Sequence, residues 1–84
     1  MSRLVIIERR ENYLARMRFE PVEMVLAAYR KSIANQNEAL ERELLDIFRS
    51  RTDLLKPDWE FLLHESPNGS LLAALAREKL GLPN

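Results

Sequence analysis

From Val22 the positions Leu26, Tyr29, Ile33, Gln36 and Leu40 recur at alternating spacings of four and three, Gln36 being the one polar member, and Leu44, Ile47 and Phe48 extend the apolar series. That spacing is the signature of a helix carrying one apolar seam. The stretch "FEPVEM" supplies its start. Pro21 falls in the first turn, where a missing N–H is harmless, and Glu20 and Glu23 sit at the positive end of the helix dipole. The pattern predicts a long amphipathic central helix over residues 20–50, about 45 Å from end to end if unbroken. "ANQN" holds an alternative: Asn35, followed three residues later by Glu38, can cap a new helix, so a break near Asn35–Asn37 stays open beside the favoured continuous helix.

The residues before the seam follow a different period. "RLVIIER" is short and β-branched, as strands are. "YLARMRFE" alternates, with Tyr13, Ala15, Met17 and Phe19 on one face and Leu14, Arg16, Arg18 and Glu20 on the other. Two strands joined by a turn near Glu11-Asn12 fit this alternation, since Asn tolerates the left-handed backbone of tight turns. In that hairpin Tyr13 and Phe19 would cover the core. A helix starting near Glu8 is the competing reading of residues 1–19.

After residue 50 the signals are local. Pro57 opens a short helix with Trp59, Leu62 and Leu63 on its apolar side, and Lys56, preceding the proline, is expected outside helical geometry. "SPNG" is a turn. A last helix runs from about Ser70 to Leu80, stopped by Gly81 with Pro83 beyond. The fold class is therefore mainly α, becoming α+β if the N-terminal hairpin forms. It is laid out over residues 1–84 as one small domain: a basic segment 1–19, a long helix 20–50, and a helical pair 53–81.

An 84-residue chain buries a modest core, so a partner surface would add stability. Thirteen basic and thirteen acidic residues cancel, which removes the bulk electrostatic argument for nucleic acid. The charge is nonetheless uneven. Residues 1–19 hold Arg3, Arg9, Arg10, Arg16 and Arg18 against Glu8 and Glu11, while residues 20–50 carry four basic and six acidic groups. There is no cysteine, hence no disulfide, thiolate metal site or cysteine nucleophile. The apolar run in "MSRLVIIERR" is too short for a signal-peptide core and no stretch reaches the length of a membrane span, so the expected compartment is the cytoplasm.

Candidate chemistry is sparse. Read as a helix-turn-helix, residues 57–80 would place "SLLAALA" in a DNA groove, yet a reading helix needs polar and basic residues at that end. Packing is the better account. His64 has Glu60 one turn before it, an arrangement for a general base, but no nucleophile or oxyanion loop accompanies it. Glu41, Glu43 and Asp46 interleave with Arg42 and Arg49, as on a solvated face, and lack the histidines of a di-metal site. No catalytic residue, metal ligand or cofactor site is assigned.

Two surfaces remain. The first is the stripe Val22, Leu26, Tyr29, Ile33, Leu40, Leu44 and Phe48, which on an unbroken helix exceeds what the rest of the chain can cover and so calls for a second copy or a larger protein. The second is the patch Arg9, Arg10, Arg16 and Arg18, with Tyr13 and Phe19 among them. Arginine forks suit an anionic protein surface, where they steer association. The expected function is a small non-enzymatic protein–protein interaction module: an adaptor, assembly factor or inhibitor of a larger complex. The alternative is a nucleic-acid-associated regulator using the arginine patch.

Overall fold

The computed structural model describes residues 9–83, in which the chain is mainly helical. The helices are α1 (Arg10–Met17), α2 (Val22–Ala34), α3 (Glu38–Ser50), α4 (Lys56–Glu65) and α5 (Leu71–Leu80), and no strand occurs among the described residues.

The expected long central helix is broken. Gln36 takes the left-handed conformation (φ 55°), and the amides of Gln36 and Asn37 reach back to the carbonyls of Ile33 (3.0 Å) and Ser32 (2.8 Å). That pair of bonds is a Schellman motif, which satisfies the orphan carbonyls closing α2. Asn37 then caps α3, its side-chain oxygen accepting from the Leu40 amide at 3.2 Å. The cap lies two residues beyond Asn35, where the sequence suggested it. The deciding term is burial. A continuous helix would leave much of its seam in water, whereas the break folds α3 back on α2 so that each half covers the other. Tyr29 and Phe48, both fully buried, meet edge to face with ring centroids 6.4 Å apart.

This geometry makes a prediction whose sign discriminates. Gln36→Gly should stabilise the fold by up to about 1 kcal/mol, because glycine enters the left-handed region without steric cost. In an unbroken helix the same change would cost about 1 kcal/mol. Urea denaturation followed by circular dichroism reads the sign directly.

The N-terminal hairpin is corrected over its second half. Its first strand falls largely in residues 1–8, outside the described residues, but residues 10–17 form α1. The alternation that suggested a strand contains Tyr13 and Met17, one helical turn apart. With Leu14 they make the face packed on the core, while Ala15 and Phe19, the other members of the alternating set, point to water. Contact with α3 gives that face something to cover, and it is this tertiary contact that overrides the local period.

The C-terminal pair follows its local signals closely. Lys56, expected outside α4, is its first residue, and the Asp58 carboxylate accepts from the Leu55 amide at 2.9 Å to hold the first turn. Ser70 caps α5 by accepting from the Ala73 amide at 3.1 Å. Gly81 (φ 72°) ends it in a second Schellman motif, with bonds from Gly81 to Glu78 and from Leu82 to Arg77. The α4–α5 hairpin packs on the α2–α3 hairpin around one core of Val25, Leu26, Tyr29, Leu44, Phe48, Trp59, Leu62, Leu72 and Leu75.

The joint between the hairpins is polar at one point. The Tyr29 hydroxyl donates to a Glu41 carboxylate oxygen (3.4 Å) and accepts from the Leu72 amide (3.3 Å), one of the amides left orphaned at the start of α5. Burial raises the Tyr29 pKa, so the hydroxyl keeps the proton it donates. The N-terminus of α5, which a DNA-reading helix would present outward, is thus turned onto α2.

Candidate functional site

The seven seam residues are placed inside the chain. Val22, Leu26, Tyr29, Leu44 and Phe48 are buried, and Ile33 and Leu40 are half-buried against the same core. On one unbroken helix these residues would outnumber what the remaining chain could cover. Once the helix folds back, α1, α4 and α5 suffice to cover what α2 and α3 do not cover in each other. The stripe is therefore core rather than a surface available for docking.

Large apolar side chains that do face water are Phe19, Met24, Leu55, Leu71 and Leu82. Phe19 is the extreme case at 87% exposed. It occupies the corner between α1 and α2, where its amide still bonds the Arg16 carbonyl at 3.0 Å. A phenylalanine left in water at a turn would ordinarily reflect a loose loop. Here the corner is clamped from outside.

The clamp is Arg51, at the end of α3. Its side chain is only 7% exposed. It donates to both carboxylate oxygens of Asp53, at 3.0 and 2.7 Å, and to the Glu20 carbonyl, at 2.6 Å. A guanidinium can hold three acceptors in one plane because its donors form a rigid fork. The hydrogen bonds between Arg51 and Asp53 push the Arg51 pKa up and hold the Asp53 carboxyl below its ordinary range. The α1–α2 corner is thereby tied to the α3–α4 connection, and a shallow depression of about 390 Å³ forms between Arg18, Phe19 and residues 50–53.

The arginine patch is partly assembled around this corner. Arg9, Arg16 and Arg18 are exposed, whereas the Arg10 side chain is outside the described part of the structure. Arg16 lies 3.9 Å from the Glu20 carboxylate and its guanidinium sits 5.6 Å from the centre of the Tyr13 ring. Arg18 lines the depression beside Phe19. Tyr13 packs against the core as expected; Phe19, expected to do the same, does not.

The other candidates stay apart. Glu41 accepts from Tyr29, and no group of three or more metal-ligating side chains comes together among the described residues. His64 is exposed on α4, and no described helix is long and apolar enough to cross a membrane. Sequence reasoning missed Arg51 altogether. Its neighbour Asp53, two residues on in a loop between helices, hints at the forked pair, but nothing in the spacing points to the Glu20 carbonyl. Comparison of the chain with protein-family models, curated proteins and solved structures gives no match.

Proposed function

We propose that the chain is a non-enzymatic protein-binding module whose docking surface is the clamped α1–α2 corner: Phe19 enters a pocket on the partner, and Arg9, Arg16 and Arg18 meet acidic groups around it. One observation carries this reading. Phe19 is 87% exposed on a corner that the nearly buried Arg51 holds in place. A corner whose backbone is already held loses little backbone entropy on association, and exposed aromatics that enter a partner's pocket dominate binding energy at interfaces. The arginines supply orientation and on-rate. The partner is a larger protein with an acidic surface around an apolar pocket. A second copy of the chain is the other candidate for the same surface.

Phe19→Ala tests the reading. It should leave the unfolding midpoint nearly unchanged while weakening partner binding by about 30-fold or more, the effect of removing an interface anchor. Photo-crosslinking from position 19 in the native host identifies the partner, and calorimetry with that partner measures the loss. Arg16→Gln with Arg18→Gln should mainly slow association. Sedimentation equilibrium of wild type and Phe19→Ala separates self-association from binding to another protein. Retardation of an oligonucleotide at physiological salt, abolished by the double Gln change, would favour the nucleic-acid-associated regulator instead.

A further inference from the structure

A second surface, away from the Phe19 corner, lies between α4 and α5. There a groove of about 800 Å³ opens along the hairpin, floored by Leu63, Leu80 and Leu82. Leu63 and Leu80 are half-buried and Leu82, just past Gly81, is 47% exposed. The Schellman bond from the Leu82 amide to Arg77 fixes Leu82 against the end of α5, so the floor is a built feature.

The walls are charged asymmetrically. Lys56 stands at the start of α4 and Arg77 in the last turn of α5, with His64 nearer the turn; Glu60 is the only acidic lining residue. Neither Lys56 nor Arg77 has an ion-pair partner among the described residues, unlike Arg30, Arg51 and Arg16, which do. Arg77 is half-buried, so its charge is less screened than that of a freely solvated arginine. Unpaired cations flanking a leucine floor ask for an occupant that is both apolar and acidic.

We infer that the α4–α5 groove binds an acidic amphipathic helix of another protein, its apolar side on Leu63, Leu80 and Leu82 and its carboxylates on Arg77 and Lys56. Each wall is ten residues of helix, about 15 Å, which matches roughly two to three turns of a docked helix. The groove is open along its length, as helix-in-groove sites are, whereas small-molecule sites enclose most of their ligand. This surface is independent of the Phe19 corner.

The test uses a synthetic amphipathic helical peptide of leucine and glutamate, titrated into the isotope-labelled full chain and followed by amide chemical shifts. Changes should cluster at residues 56–64 and 77–82. Lys56→Gln and Arg77→Gln should each weaken binding by about tenfold, the loss of one charge-assisted hydrogen bond. The same peptide with lysine in place of glutamate should not bind, and Phe19→Ala should bind the acidic peptide like wild type. Lys56 is exposed, so its variant keeps the test open if Arg77→Gln disturbs folding. The proposal is overturned by an absence of shifts at millimolar peptide, by equal binding of the lysine peptide, or by shifts centred on Phe19. Binding of dodecanoate without binding of the peptide would make the groove a small-amphiphile site. Shifts in these residues that grow with protein concentration alone would make it a self-association face. Either result also overturns it.

Discussion

Trp59→Ala is expected to lower the unfolding free energy by about 3–5 kcal/mol, the range for truncating a large buried aromatic. Trp59 is 5% exposed within the core. Pro57 sits in the first turn of the same helix, the Trp59 amide bonds the Leu55 carbonyl at 3.2 Å, and the Lys79 ammonium stands 5.9 Å from the Trp59 ring centre. Truncation leaves a void where α4 and α5 join the rest of the core, and the backbone is too constrained by the capped helix ends to collapse into it. A chain of 84 residues has a total stability of about 4–13 kcal/mol, so the variant would retain only a fraction. Urea titration should show a lower midpoint at unchanged slope. As the sole tryptophan it also reports on itself: emission of the folded protein should be blue-shifted and should move red with unfolding. A loss under about 1 kcal/mol would mean that the α4–α5 hairpin contributes little to the common core.

Phe48→Ala should cost a similar amount, about 3–5 kcal/mol, for a different reason. Phe48 is wholly buried and its ring lies edge-on to Tyr29, the planes at 82°. Removing it takes away a hydrophobic contact across the α2–α3 hairpin and also the wall that positions Tyr29, whose hydroxyl joins Glu41 to the start of α5. The loss should therefore propagate to α5, seen as faster hydrogen exchange at Leu72 as well as a lower urea midpoint. Phe48→Leu, which keeps most of the volume, should cost less than about 1.5 kcal/mol. If Phe48→Ala left stability unchanged but dissociated an oligomer, Phe48 would be an interface residue after all and the fold-back of α3 would be wrong.

The elements legible from sequence are those whose causes are local. Pro21 and Pro57 announce helix starts because their ring fixes φ and their missing amide matters little there. Ser70 and Gly81 bracket α5, and each makes the bond that its residue type favours at a helix end. The seam itself was also legible: its residues are apolar because they are core, and five of seven are buried. What the seam faces was not.

Three decisions belonged to the tertiary structure. The break at Gln36 hinges on whether burying both halves of the seam outweighs a left-handed glutamine, a sum over the whole chain that no local window contains. The helix at Arg10–Met17 arises because Tyr13, Leu14 and Met17 find α3 to pack on, although the alternation of Tyr13, Ala15, Met17 and Phe19 by itself suits a strand. The arginine patch was visible as composition, but Phe19 became its centre only because Arg51, more than thirty residues away in the chain, bonds the Glu20 carbonyl and holds the corner. Local sequence determines where helices start and stop, since capping and backbone preference act within a few residues. Which faces end up dry and which aromatic is left in water depends on contacts between segments distant in sequence, and those are set by total burial.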